Sequence, residues 1–477
     1  METYQQFING ALVDSHSPDF IEVENPYTNQ IIGRAPKGDV ADADRALEAA
    51  KRAQGPWSKT AAAYRAGYLK KFADLIRSRR VELARLLASE QAKVLPLAQV
   101  EIDFTADYFD YYAGWARTYE GEIINSDDPR ENIWLFQKPI GVVAGICPWN
   151  FPFFVMARKV APALLTGCTI VIKPSSTTPL TTFEFARLVA GLDLPAGVLN
   201  FVSGGGATLG NALVTHPYTD MVSLTGSVEA GQEVIRGSID KVMKTSLELG
   251  GKAPAVVFPD ADLDIAVRGV TDSRLIYSGQ VCNCCERAYV HRDIYDEFVS
   301  RLTASFQAAA YGDPFADPTP VYSSQIDRAQ LEKIEGMAAR ATAAGAQVVT
   351  GGQRADLGTG YFFQPTILAG AAQDSEIVQK EVFGPVLPII PWDDYDQVMA
   401  WANDCEYGLT SSVFSTNVST VMQAIKDLNF GETYVNREHF EGLQGFHAGW
   451  RKSGIGGADG KHGLYEYLQS QVVYLRY

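Results

Sequence analysis

The alternation of apolar and polar positions changes character several times along the chain. Residues 41–119 carry apolar positions at helical spacing; Asp39 can cap a helix over 40–54, which Gly55-Pro56 is expected to end. Helical spacing resumes over 61–88 and again over 100–119, while 121–138 is extended and more polar. From Ile140 short apolar runs alternate with helical stretches. Residues 141–147, 169–173, 198–202 and 221–225 read as buried strands; a helix over 183–190 follows the second, and a glycine turn at 204–206 leads into another. Such an alternation predicts a parallel sheet in a doubly wound α/β domain. A second α/β stretch spans about 253–429, with helices at 294–307 and 329–344 and a strand at 386–391. Residues 471–477 are rich in strand formers and read as an edge strand that pairs with another segment or another subunit.

The 477 residues, 46% of them apolar, suffice for two or three domains with a core that needs no disulfide or metal staple. A net charge of -15 repels nucleic-acid phosphates and anionic membranes, so neither is expected as a partner. It does not exclude a phosphate-bearing cofactor, whose site is set by local amides and lysines. Two uncharged runs, 139–157 and 194–219, are long enough to span a bilayer but are broken by prolines and glycines. Residues 1–10 lack the basic and apolar regions of a secretory signal, so the reducing cytoplasm is the expected compartment. There, the cluster Cys282, Cys284 and Cys285 suggests catalysis or metal binding more than disulfides.

Several short motifs each admit two readings. Gly204-Gly205-Gly206, with Gly210 four residues on, is one residue out of step with the dinucleotide fingerprint and could equally be a tight strand-to-helix turn. Thr225-Gly226-Ser227 is a second such turn, with amides and a hydroxyl able to receive phosphate. Gly279-Gln280-Val281-Cys282 could present a thiolate nucleophile or simply fill the core; a metal site would need a second cysteine pair, and no metal is expected. Pro148-Trp149-Asn150-Phe151-Pro152 could be a self-capped turn or hold an amide toward an oxyanion. Glu248, just before Gly250-Gly251, could be a solvated strand-end residue or a base that deprotonates water.

In this order and spacing the motifs resemble the aldehyde dehydrogenase superfamily. Lys173-Pro174-Ser175 and Glu381-Val382-Phe383-Gly384-Pro385 extend the match along nearly the whole chain. Cys282-Asn283-Cys284 and the tail 444–454 are most similar to members that act on lactaldehyde and glycolaldehyde. The resemblance implies an α/β fold with a Rossmann-type cofactor domain (1–120 and 142–250) and an α/β catalytic domain (251–455). A small bridging β element (121–141 and 456–477) would join subunits into a homodimer or homotetramer.

It further implies NAD(P)-dependent oxidation of a short hydroxyaldehyde to the acid. Cys282 would be the nucleophile, with Cys284 and Cys285 as bystanders. Asn150 and the Cys282 amide would hold the alkoxide, and Glu248 would activate the water that hydrolyses the thioester. Trp149, Lys173, Ser176, Gly206, Gly226, Ser227, Glu381 and Phe383 would line the cofactor's path, and Lys159 would either join them or form an ion pair. Arg158, Asn283, Glu441 and His447 match polar substrate positions, although each could be an ion-pair partner or a solvated residue. Ser176 stands where NAD-preferring members commonly have Glu. It removes a repulsion of roughly 4 kcal/mol against a 2′-phosphate at ~4 Å and an effective dielectric of ~20. NADP is therefore expected to be accepted or preferred. Rival expectations are an enzyme for another small aldehyde, such as a semialdehyde, or a cysteine hydrolase without hydride transfer.

Overall fold

A computed structural model describes residues 2–477. Five parallel strands form the centre of an eight-stranded sheet, in the order Lys244–Glu248, Met221–Thr225, Val142–Ile146, Thr169–Lys173 and Leu199–Phe201. They are almost wholly buried, as uninterrupted apolar runs require when helices cover both faces of a sheet. The chain moves outward from Val142–Ile146 in one direction, then crosses back to Met221–Thr225 on the other side. Such a reversal opens a crevice at the carboxyl ends of the two strands that flank it. Antiparallel neighbours close both edges: the hairpin Gln6–Ile8 and Ala11–Val13 on one, Gly454–Ile455 on the other.

The helices that cover this sheet depart from the sequence expectation in two places. Asp39 does cap Val40–Ser58, in a box with Asp42, but Gly55-Pro56 does not end the helix. A proline in the last turn removes only one ladder bond, and buried Trp57, packed 5.9 Å from the Tyr68 ring, holds that turn in place. The stretch 61–88 is two helices, Ala62–Ser78 and Arg80–Gln91, broken at Arg79 where φ is -117° and ψ 21°.

The second sheet has seven strands, in the order Gln347–Thr350, Thr366–Ala369, Val386–Trp392, Cys285–His291, Ala253–Val257, Thr410–Phe414 and Glu432–Val435. All its neighbours are parallel except the first pair. Lys244–Glu248 of the first sheet runs through Gly250-Gly251 directly into Ala253–Val257 of the second. A Cβ on Gly251 would stand 2.4 Å from the Cys282 carbonyl oxygen, so only glycine lets the two loops meet.

The terminal strand pairs within its own chain. Leu468–Arg476 lies antiparallel to Glu131–Pro139, from Leu468 opposite Pro139 to Arg476 opposite Glu131, and Glu122–Asn125 completes a three-stranded sheet. That sheet exposes Ile123 (78%) and Tyr474 (66%). Among the described residues no helix is long and apolar enough to cross a membrane.

Candidate active site

The loop that presents Cys282 starts where helix Leu263–Leu275 breaks. Tyr277, Ser278 and Gly279 follow one another in the left-handed region, at φ 45°, 58° and 74°. Such a run is costly for the two residues with side chains and persists only when its surroundings hold it. Here Tyr277 donates its hydroxyl to the Gln91 carbonyl (3.1 Å) and Ser278 to that of Ser323 (2.7 Å). A Cβ on Gly279 would lie 2.3 Å from the Gly384 carbonyl oxygen. Gln280 is buried and accepts from the Ile326 amide at 2.9 Å, which fixes the last step before the thiol. Of the clustered cysteines only Cys282 keeps some exposure. Burial pushes the Cys284 thiol well up and the Cys285 thiol to about 12, so both stay protonated and inert.

Asn150 reaches this loop from the first sheet. Its Nδ2 donates to the Gln280 carbonyl at 3.0 Å. Its own carbonyl accepts from Gln91 Nε2 (2.9 Å) and Lys93 Nζ (2.8 Å). Lys93 is fully buried, lies over the Phe151 and Tyr277 rings, and pairs with buried Glu101. The Glu101 carboxylate also accepts from the amides of Phe153 and Phe154, in the first turn of helix Pro152–Thr166, where such amides lack helical partners. Gln91, Lys93 and Glu101 were not among the sequence candidates. Gln91 ends helix Arg80–Gln91, Lys93 lies in the short link after it and Glu101 is in helix Leu95–Gly114; in such a sequence context a charged residue ordinarily faces solvent.

Glu248 ends strand Lys244–Glu248 and is only 4% exposed, which overturns the solvated reading. Neither carboxylate oxygen has a hydrogen-bond partner, and the nearest cation is Arg158, with Nη1 at 3.5 Å. Both residues line a chamber together with Asn150, Cys282, Asn283, Glu441, His447 and a wall of Phe104, Phe151, Phe154 and Phe440.

The polar groups of this chamber form one charge network. Arg158 donates from Nε and Nη2 to Asp459 (2.9 and 2.5 Å) and from Nη2 to Glu441 (3.0 Å). Burial works against the guanidinium, but Asp459, Glu248 and Glu441 hold its pKa well above the usual range. Burial also works against the Glu441 carboxylate, and Arg158 and His447 outweigh it, so its pKa lies below the ordinary value. Burial raises Asp459 despite Arg158. Asn283 Nδ2 donates to Glu441 at 2.7 Å, while its Oδ1 has no partner. His447 Nδ1 bonds Glu432 at 2.6 Å; burial opposes its charge, yet Glu432 and the neighbouring Cys282 lift its pKa well above the ordinary value. None of these four sequence candidates is a solvated surface residue. Asp459 and Glu432 are partners that sequence reasoning missed.

On the other side of Cys282 a groove runs along the carboxyl ends of the first sheet. It is lined by Trp149, Lys173, Ser176, Gly226, Ser227, Glu381 and Phe383; Lys173 and Gly206 border an adjoining cavity. Phe383 adopts φ 58°, its carbonyl accepts from Gln330 Nε2 at 2.7 Å, and its ring lies edge-on to Trp149, 5.3 Å between centroids. Glu381 accepts from the Gly251 amide at 2.9 Å, and desolvation together with nearby Glu286 pushes its carboxyl up to about 7. Burial works against the Glu286 carboxylate, but Arg274 and Lys252 draw it down to about 2, and it holds the amides of Val382 and Phe383. Burial brings Lys173 down to about 8. Ser176 donates to the Gly204 carbonyl at 3.1 Å. Lys159 makes no ion pair, contrary to one expectation; it donates to Ser223 (3.1 Å) and Thr225 (3.0 Å).

These residues fit a dinucleotide. A Cβ on Gly206 would meet nothing within 4 Å, so the turn faces open space. Ser227 caps helix Val228–Ser238, whose first amides suit a phosphate. The groove sits at the topological switch point, where α/β sheets bind nucleotides.

Fold and site together define a class: a two-sheet α/β protein with a dinucleotide groove and a buried polar chamber that share a cysteine wall. Residues 12–473 match the aldehyde dehydrogenase family, and the chain belongs to that family. It is an aldehyde oxidoreductase that uses NAD or NADP. The lactaldehyde dehydrogenase of Escherichia coli is 51% identical over 99% of this chain and 98% of its own. A crystal structure of the E. coli lactaldehyde dehydrogenase superposes with a TM-score of 0.98, covering 100% of both chains. A 3,6-anhydro-L-galactose dehydrogenase solved in complex with NAP is 42% identical, with a TM-score of 0.97 over 99% of this chain and 100% of its own. The α/β architecture expected from the sequence is thereby borne out.

Proposed function

We propose that the chain oxidises a short hydroxyaldehyde, such as lactaldehyde or glycolaldehyde, to its carboxylic acid with Cys282 as nucleophile. One observation carries this reading: Cys282, Asn150 and Thr225 border both the polar chamber and the cofactor groove, so an aldehyde held by the thiol faces the groove. The Cys282 thiol gives up its proton to water as its sulfur attacks the carbonyl carbon and the C=O π pair moves to oxygen; loss of hydride then re-forms the C=O as a thioester. The remaining Asn150 amide hydrogen and the Cys282 backbone N–H receive that oxyanion; a single donor of this kind is worth ~2.7–4 kcal/mol in the transition state. NAD or NADP, when bound, supplies the hydride acceptor that takes the aldehyde hydrogen with its electron pair. Glu248, with both oxygens free of hydrogen bonds, then takes a proton from water as that water attacks the thioester carbon. The C–S bond breaks, the acid leaves, and Cys282 regains its proton.

The hydroxyl preference is supported by the unpaired Oδ1 of buried Asn283, which an apolar analogue would leave without a partner, in a chamber that Arg158, Glu441 and His447 keep polar. Relatives point the same way: lactaldehyde for the E. coli enzyme, and D-glyceraldehyde with NADP+ for a Thermoplasma acidophilum enzyme 37% identical over 99% of this chain and 96% of its own. Ser176 supports acceptance of NADP. The exposed apolar faces of the three-stranded sheet support a homodimer or homotetramer, and six free cysteines suit a reducing cytoplasm.

The test is an aldehyde panel with NAD and with NADP, followed at the nicotinamide band. A short hydroxyaldehyde, such as lactaldehyde, glycolaldehyde or glyceraldehyde, is expected to give the highest kcat/KM. Faster turnover of hexanal than of these would overturn the substrate assignment.

A further inference from the structure

His439 lines the same chamber, yet the mechanism above does not use it. It is 8% exposed, and its Nε2 has no hydrogen-bond partner. Its other nitrogen, Nδ1, lies 2.7 Å from Ser273 Oγ. That oxygen already accepts from the Cys285 amide at 2.8 Å. The Ser273 hydroxyl proton has no acceptor in reach other than Nδ1 among the described residues, so Nδ1 accepts and the ring proton sits on Nε2. Burial, with Arg274 and Arg437 close by, pushes the His439 pKa down to about 3, which keeps the ring neutral. The result is a fixed neutral donor with nothing to donate to. Buried unsatisfied donors are rare and call for a partner that the protein itself does not contain.

Apart from the two Glu248 oxygens that the mechanism uses, the chamber's other unpaired atom is an acceptor, Asn283 Oδ1, two residues before the strand whose first amide bonds Ser273. One cavity thus offers an unpaired acceptor and an unpaired donor beside the thiol. An alkyl chain satisfies neither, whereas a polyhydroxylated chain satisfies both.

We propose that His439 is a specificity-determining residue that donates through Nε2 to a substrate oxygen beyond the aldehyde carbon, which selects polyhydroxylated aldehydes of the glyceraldehyde type. This rests on the hydroxyaldehyde reading of the site and extends it. The donor and Asn283 Oδ1 act as a pair, one giving and one receiving a hydrogen bond.

The test compares kcat/KM for glyceraldehyde and propanal, two three-carbon aldehydes that differ in hydroxyls, in the wild type, His439→Leu and His439→Gln. Loss of a hydrogen-bonding group of this kind should reduce the glyceraldehyde-to-propanal ratio ~10–100-fold in His439→Leu. His439→Gln keeps an N–H donor and should recover part of the ratio. Melting temperature and the rate of Cys282 alkylation by iodoacetamide report whether each variant keeps its fold and nucleophile. An unchanged ratio in a folded His439→Leu variant, or an equal loss for both aldehydes, overturns the role of His439 while leaving the hydroxyaldehyde reading standing. A wild type that prefers propanal overturns both.

Discussion

The two sides of Cys282 are built by different means. The cofactor side relies on backbone: glycine turns, helix-terminal amides and left-handed Phe383, with Glu381 and Lys173 as its sparse charges. The chamber side relies on side chains: Arg158 among Glu248, Glu441 and Asp459, and His447 paired with Glu432, most of them buried. A backbone cradle accepts any ligand that shares a phosphate and ribose framework. A buried charge network is selective, because every group it leaves unpaired carries a penalty. On the proposed reading, the cofactor side recognises a constant molecule and the chamber discriminates among small ones.

That contrast can be broken at several points. Cys282→Ala should remove dehydrogenase activity by ~10⁴-fold or more while leaving cofactor affinity in place, measured by nicotinamide absorbance and by fluorescence titration. Glu248→Gln should lower steady-state kcat by ~10³-fold yet keep a burst of reduced cofactor, because only thioester hydrolysis needs the base. A missing burst in rapid-mixing experiments would move Glu248 to an earlier step. Asn150→Ala should cost ~10²-fold in kcat with little change in KM, as expected of a donor that acts on the oxyanion. Ser176→Glu should shift preference from NADP toward NAD by ~10-fold or more through charge repulsion. A strong NAD preference already present in the wild type, and unchanged in the variant, would sink that idea.

The smallest effect concerns pH. Glu381 titrates at about 7, so it is largely protonated below that value and a carboxylate above it. A carboxylate accepts hydrogen bonds from ribose hydroxyls better than the neutral acid does. Cofactor affinity should therefore strengthen several-fold as pH rises through 7, and Glu381→Gln should flatten the profile. A flat wild-type profile between pH 6 and 8 would remove Glu381 from the contact.

Much of this was legible along the chain, for identifiable reasons. Strands 169–173 and 221–225 match Thr169–Lys173 and Met221–Thr225 residue for residue, because an apolar run between turns has few other fates. The helix past Pro56 was misread because the signal there is local, whereas Trp57 is held by rings from the next helix. Lys93, Glu101 and Asp459 were invisible for a related reason. Lys93 and Glu101 pair with each other, but the Asn150 carbonyl and the Phe153 amide that they hold lie 57 and 52 positions on, and Asp459 meets Arg158 from 301 positions away.

The sequence alone determined the elements, the motif order and hence the family, because turns and apolar periodicity are properties of neighbouring residues. It also singled out Cys282, Glu248 and Asn150 as the chemical candidates. Only the tertiary structure decided that Glu248 is buried and free of hydrogen bonds, that Arg158 lies among three carboxylates, and that His439 keeps a free donor. Burial and pairing depend on what distant segments bring to the same place, and that information exists only once the chain is folded.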